Sequence, residues 1–267
     1  MRRSILFTIF AVAILSSAVR SQEVTYRRIA DLNAGGVGSF PSNFITFNGT
    51  SYFSAYTLEL GRELFKYDGT IVTLVSNIND QTHVDESGQE IGNDSVPDNF
   101  TIFNGALYFS AYDQRRGGEL WRFDGTRATR VTDINPDLND TIKPLPKSSW
   151  PQELTVMGNA LYFSADGGQS GLPVPLPNYE LWRYNGTTAS LVTNIHSEFG
   201  TNHSSYPHQL KVFNNALYFA ADDGLNGYEL WKYDGTRAVL LANINPGGGG
   251  SSSSPKYFTP YKNALYF

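Results

Sequence analysis

The 267-residue chain contains no cysteine. Disulfides, thiolate metal sites and cysteine nucleophiles are thereby excluded, and stability has to come from packing. Charge is also scarce, at 17% of residues, with 20 basic and 25 acidic side chains. Nucleic acids and anionic membranes attract clustered Lys and Arg, so this acidic balance argues against both as partners. Histidine occurs four times, and helical periodicity is missing after residue 21. Aromatic residues, by contrast, make up 14% of the chain within a hydrophobic total of 40%. That is ample material for a core and excludes a disordered chain.

The first residues stand apart. Arg2 and Arg3 precede the largely apolar stretch 5–15, which leads into Ser16, Ser17 and Ala18. This is the layout of a secretory signal peptide, and the stretch is far below the roughly 20 residues a membrane helix needs. Residues 1–21 are therefore expected to be removed, exposing Gln22, with cleavage after Ala18 as the alternative. Losing Arg2, Arg3 and Arg20 brings the formal charge from −5 to −8. Six Asn-x-Ser/Thr triplets, at Asn48, Asn93, Asn99, Asn139, Asn185 and Asn202, are candidate N-glycan sites in a secreted chain. Those at Asn48 and Asn185 double as tight turns.

From residue 22 onward the sequence repeats. Glu63-Leu64-Phe65-Lys66-Tyr67-Asp68-Gly69-Thr70 recurs from Glu119, Glu180 and Glu229 at spacings of 56, 61 and 49 residues. A Leu-Tyr-Phe string precedes it at 107–111, 161–165 and 217–221, with a relative at 51–55 and a last copy at 265–267. Pro41, Pro97, Pro151, Pro207 and Pro255 each stand three residues before a short apolar segment. Each unit reads as four strands: A carries Leu-Tyr-Phe, B carries Glu-Leu-Trp, C follows Asp-Gly-Thr, and D follows the proline. Asn104-Gly105 between D and A is a strong hairpin signal, because both turn residues need positive φ, and Asp124-Gly125 between B and C is read the same way. Four antiparallel strands per repeat of about fifty residues predict an all-β fold, a β-propeller with four roughly complete blades and an unclosed fifth over 22–267.

The repeated positions are assigned structural roles: Glu63, Glu119, Glu180 and Glu229, then Trp121, Trp182 and Trp231, then the turn pairs Asp68-Gly69, Asp124-Gly125, Asn185-Gly186 and Asp234-Gly235. Asn185 replaces the aspartate of the other copies, so the turn and not the charge is what the position demands. A large side chain recurring once per blade, with Phe65 in the first, reads as packing between blades.

The string Glu-Leu-Trp-x-x-Asp-Gly-Thr, preceded by Leu-Tyr-Phe and a DDGxxG-like segment, resembles the ELWxxDGT repeat family, and residues 217–236 lie close to its consensus. The resemblance covers the chain from about residue 29 onward, with departures at Phe65, Asn185 and the proline-rich insertion 172–177. It implies a propeller-like, extracellular repeat protein and no particular activity.

In such a meander the A–B and C–D connections share one face, and their variable lengths make it the place for a binding site. Chemistry within them is sparse. Asp133, Asp137 and Asp140, and separately Asp222 and Asp223, offer oxygen ligands without the spacing of a calcium loop, and remain weak calcium candidates. His196, His203 and His208 are too far apart for a zinc motif. No catalytic constellation emerges and no cofactor is expected. Residues 25–33 align with strand C, and the chain stops within a fifth strand A, which predicts that it is a fragment of a longer protein. The expected function is a secreted, non-enzymatic module binding an extracellular protein, a polysaccharide or a matrix component, organic or mineralised. The alternative is a propeller glycoside hydrolase or lyase acting on extracellular glycans, which a buried pair of raised-pKa carboxylates facing a loop-side pocket would favour.

Overall fold

A computed structural model describes residues 27–33, 36–135, 147–168, 177–196, 204–247 and 250–267. Those residues form strands and turns, with no helix. The first sheet comprises β1 (Ser42–Phe47), β2 (Thr50–Thr57), β3 (Gly61–Tyr67) and β4 (Val72–Ser76). A small hairpin follows, β5 (Thr82–Val84) and β6 (Glu90–Gly92). The second sheet holds β7 (Asp98–Phe103), β8 (Ala106–Asp113), β9 (Gly117–Phe123) and β10 (Ala128–Arg130). The third holds β11 (Gln152–Met157), β12 (Ala160–Asp166), β13 (Tyr179–Tyr184) and β14 (Ala189–Thr193). The fourth holds β15 (His208–Phe213), β16 (Ala216–Asp222), β17 (Tyr228–Tyr233) and β18 (Ala238–Ala242), and a last pair, β19 (Thr259–Tyr261) and β20 (Ala264–Tyr266), opens a fifth.

Within each four-stranded sheet the strands pair antiparallel in chain order, D-A-B-C. The D strands of successive sheets lie side by side, β1 against β7, β7 against β11 and β11 against β15. They therefore surround a common axis, and the sheets are the blades of a β-propeller whose ring is not closed.

The period-two alternation of each A strand explains the stacking. In β8, Leu107, Phe109 and Ala111 pack against Phe47, Tyr52, Leu64 and Ile78 of the first blade. The alternate residues Ala106 and Tyr108 pack against Leu161, Phe163 and Tyr184 of the third. Phe109, Phe163 and Phe219 are completely buried, one per blade interface, and each such ring contributes on the order of 2–3 kcal/mol of burial energy. Trp121 and Trp231 sit in these inter-blade cores, and Trp182 packs at the edge of another.

The two turn types differ in mechanism. Asn48-Gly49 and Asn104-Gly105 have positive φ at both residues, as read from the sequence. The Asp-Gly-Thr turns do not: only their glycine has positive φ. Here the aspartate side chain accepts two backbone amides, Asp68 from Thr70 and Ile71, Asp124 from Thr126 and Arg127, Asp234 from Thr236 and Arg237. Asn185 Oδ1 does the same for Thr187 and Thr188. A side-chain oxygen three bonds from the Cα is what the turn requires, which either residue supplies.

Three elements depart from the sequence reading. Strand C of the second blade is cut to β10, because the Thr132 hydroxyl takes the Leu120 amide that would have continued the ladder. The connection 78–96 contains the unforeseen hairpin β5–β6, closed by Asp85, which accepts the amides of Ser87 and Gln89. Residues 27–33 form no strand, since no B strand lies beside them among the described residues. Asn33 instead ties this segment to the first blade, donating to Tyr56 O and accepting from the Leu58 amide. Residues 1–26, including the expected signal peptide, lie outside the described residues.

Candidate functional site

The A–B and C–D connections pack on one another. A Cβ added at Gly61 would strike the carbonyl of Asn93, one at Gly117 that of Lys147, and one at Gly227 that of Gly250. The chemistry holding this face together is the repeated glutamate. Glu63, Glu119, Glu180 and Glu229 are completely buried at the start of their B strands. Glu63 accepts from the Ile78 and Asn79 amides and the Ser95 hydroxyl. Glu180 accepts from the amides of Ile195 and Ser205 and the Ser205 hydroxyl, and Glu229 from those of Ile244 and Ser253 and the Ser253 hydroxyl. Glu119 is bound by the Thr132 hydroxyl and the Ile134 amide. Each glutamate thus fastens the C–D connection of its own blade to the entry of the next D strand.

Burial pushes the carboxyls of Glu63 and Glu180 up to about 7, against the pull of their serine and backbone donors. The Glu119 carboxyl is also raised by burial. These are buried carboxylates with raised pKa, yet they face loop backbone and line none of the clefts described below.

The serine partner belongs to a motif that the repeat reading passed over. Ser39, Ser95, Ser149, Ser205 and Ser253 each stand two residues before the repeated proline. The intervening residues, Phe40, Val96, Trp150, Tyr206 and Ser254, all have φ of 42–48°, a region that residues with a side chain rarely occupy. This kink lets two consecutive amides converge on one carbonyl: Ser95 and Val96 on Arg62 O, Ser149 and Trp150 on Gly118 O, Ser205 and Tyr206 on Tyr179 O, Ser253 and Ser254 on Tyr228 O. The five-fold Ser-x-Pro spacing was the available signal.

Two residues after each proline comes a second kink, at Asn43, Asn99, Glu153, Gln209 and Tyr257, with φ between 57° and 62°. In the four complete blades it coincides with a break in the D–A register. At three of these positions the side chain reaches the next blade. Asn99 Oδ1 accepts from the Glu153 amide, Glu153 Oε2 from the Leu210 amide, and Gln209 Oε1 from the Tyr257 amide.

Beside this axial row the kinked Tyr206 opens a cleft of about 480 Å³ between the third and fourth blades. Tyr179, Tyr206 and Tyr228 provide its aromatic walls, with Gln152, Ser164 and His208 as polar neighbours. Tyr179 and Tyr206 stack at 5.2 Å, and His208 meets Tyr228 edge-on at 5.2 Å. Burial raises the phenol pKa of Tyr179 and Tyr228, so both stay protonated as donors at neutral pH. Among the described residues no hydrogen bond engages the three hydroxyls. A smaller cleft of about 310 Å³ is lined by Asn43, Asp98, Asn99, Thr101 and Glu153.

The calcium candidates are not brought together. Asp222 and Asp223 accept amides of their own loop, Asp222 from Gly224 and Asp223 from Leu225 and Asn226. Asp133 pairs with Arg116 and Arg130. Among the described residues no cluster of three or more acidic, histidine or cysteine side chains is spaced to hold a metal ion. Asp137, Asp140 and His203 lie outside the described residues. His196 lies against Gly224, away from His208 in the aromatic cleft. Of the sequons, Asn48 and Asn185 are exposed in turns, Asn93 is bonded to His83 and Gln114, and Asn99 is part of the axial row. Asn139 and Asn202 are outside the described residues. No described helix is long and apolar enough to cross a membrane.

No family model matches the chain, and no curated protein matches it in sequence. Solved structures similar to it include a GH74 xyloglucanase from Xanthomonas campestris, at 12% identity and TM-score 0.46 over 77% of this chain and 30% of that one. Another is a family 117 glycoside hydrolase from the marine bacterium Zobellia galactanivorans, at 12% identity and TM-score 0.39 over 83% and 71%. A third is the β-propeller domain of the trilobed protease from Pyrococcus furiosus, which has an open velcro topology, at 11% identity and TM-score 0.25 over 77% and 86%. The chain spans less than a third of the length of the xyloglucanase, and the likeness is one of fold. The strand order and the side-by-side D strands make this chain an all-β, unclosed β-propeller.

Proposed function

We propose that the chain is a secreted, non-enzymatic propeller module of the ELWxxDGT type that binds an extracellular polysaccharide in the cleft between its third and fourth blades. The observation that carries the reading is the trio Tyr179, Tyr206 and Tyr228 around that cleft. Aromatic faces pack on the C–H faces of sugar rings, while phenol hydroxyls and the Gln152 amide serve the sugar hydroxyls. The volume lies within the range of small-molecule sites, roughly 300–1,000 Å³. The acidic balance of the chain favours a neutral glycan over an acidic one.

Binding of the secreted chain to a panel of neutral and acidic polysaccharides, followed by calorimetry on the best ligand, tests this. Tyr206→Ala and Tyr228→Ala should each weaken binding by about tenfold or more, as loss of a central aromatic contact does, with the circular dichroism unchanged. Equal affinity of wild type and both variants, or no binding to any polysaccharide, would sink the reading.

The sequons give a second check. Peptide mapping of chain secreted from a eukaryotic host should find glycan at Asn48 and Asn185, whose turns are exposed, and none at Asn99, whose side chain is held in the axial row. A glycan at Asn99 would contradict that placement.

One observation favours the hydrolase or lyase alternative: Asp98 and Glu153 line the same axial cleft. If they act as acid and base, glycan turnover by the wild type should vanish in Asp98→Asn and in Glu153→Gln. The module reading leads because the raised carboxyls, Glu63 and Glu180, are sealed behind loop backbone.

A further inference from the structure

The glutamate clamp has four occupied copies and a fifth set of donors without a carboxylate. In the first complete copy, Glu63 of a B strand receives the amides of Ile78 and Asn79 and the hydroxyl of Ser95. The residues at corresponding places before the first blade are Leu32, Asn33 and Ser39. Their placement is the same. Leu32 packs on Phe53, Ala55 and Phe65, as Ile78 packs on Phe109, Ala111 and Trp121 one blade later. Ser39 O accepts from the Tyr56 amide at 2.7 Å, as Ser95 O accepts from Tyr112 and Ser205 O from Asp222. Phe40 carries the same kink, with φ of 42°. Yet the Leu32 and Asn33 amides and the Ser39 hydroxyl meet no acceptor among the described residues, and Ser39 is half-buried where Ser95, Ser149 and Ser205 are sealed.

We propose that Leu32, Asn33 and Ser39 form a docking socket for the glutamate of an additional B-type strand, Glu-Leu-aromatic, from a further copy of the repeat outside these 267 residues. Four occupied copies within the chain define the chemistry of the occupant: an extended segment whose glutamate enters the three donors and whose neighbouring apolar residues extend the Leu32–Phe53 cluster. A second copy of the described chain cannot supply that strand, because β3, β9, β13 and β17 are each paired along both edges. The mode is strand addition, with backbone pairing for affinity and one buried carboxylate for register.

The test is a titration of the full chain with a labelled synthetic peptide carrying the sequence of residues 227–242, followed by anisotropy and by amide hydrogen exchange. Two changes are combined: glutamate to alanine in the peptide, and Ser39→Ala in the chain. Saturable binding is expected, with protection of the Leu32 and Asn33 amides. The serine change should weaken binding about tenfold and the glutamate change, which removes all three bonds, by at least as much, while the two together should cost no more than the glutamate change alone, since the serine's bond is already lost with the carboxylate. A Ser39→Ala chain that binds the alanine peptide as the wild type does is thereby shown to be folded. Equal binding of the glutamate and alanine peptides, independent losses that multiply, or no protection at 32–33 would overturn the proposal.

Discussion

Acidification from pH 8 to pH 5 is expected to raise the thermal midpoint of the chain, the reverse of what most acidic proteins show on approaching their carboxylate range. Glu63 and Glu180, completely buried, hold their protons up to about 7 in the folded state, while the unfolded chain releases them near 4.5. Between those limits the native state binds more protons, so stability rises as pH falls. The stabilisation is complete below about 4.5 and is lost as pH rises through about 7. Each glutamate contributes about 3 kcal/mol to this swing, and Glu119 shifts in the same direction by burial. Below about pH 4 the trend turns over. Asp68, Asp124 and Asp234 are held below the ordinary carboxylate range, Asp68 and Asp124 mainly by turn amides and Asp234 first by the Thr236 hydroxyl, and their contribution disappears as they protonate. Scanning calorimetry from pH 3 to 9 reads the whole curve. A midpoint that falls steadily from pH 8 to pH 5 would mean that the buried glutamates stay ionised.

The second large effect is expected for Glu180→Ala. The change strands the Ile195 amide, the Ser205 amide and the Ser205 hydroxyl inside the fold. Buried donors without acceptors cost about 1–3 kcal/mol apiece, so a total loss of about 3–5 kcal/mol is expected after local rearrangement. Glu180→Gln keeps one acceptor oxygen and removes the charge. It should lose far less at pH 8 and show a smaller pH swing than the wild type, the remainder coming from Glu63 and Glu119. Denaturant titrations of both variants at pH 5 and pH 8 separate the two contributions. A Glu180→Ala chain as stable as the wild type would show that water reaches the donors and that the clamp is only geometric.

Much of this architecture was legible because propeller blades repeat. The Asn-Gly turns, the recurring Leu-Tyr-Phe string and the five prolines each placed a strand with no tertiary information. The Ser-x-Pro clamp was equally repeated but escaped, since serine and glutamate have no apolar period to announce them. Their pairing depends on a contact between residues 25 apart at Glu180 and Ser205. The aromatic cleft was harder still. Tyr179 and Tyr228 occupy a position filled by Arg62 and Gly118 in the first two blades. The position varies among the blades, and the tyrosine shared by the third and fourth gains meaning only when the two are seen to face each other. The Asp-Gly-Thr turns were read correctly as turns and incorrectly in mechanism, because the sequence shows which residues bend the chain but not whether backbone or side chain does the bending.

The paired amides of the Ser-x-Pro kinks hook every D strand after the first onto a carbonyl of the blade before it. The join between neighbours is thus made from residues of two consecutive repeats and nothing farther away. Energetically the molecule is close to a one-dimensional array, in which each repeat feels only its two neighbours. Such an array can gain or lose a member without any new chemistry at the splice, because the sockets on both sides are already written.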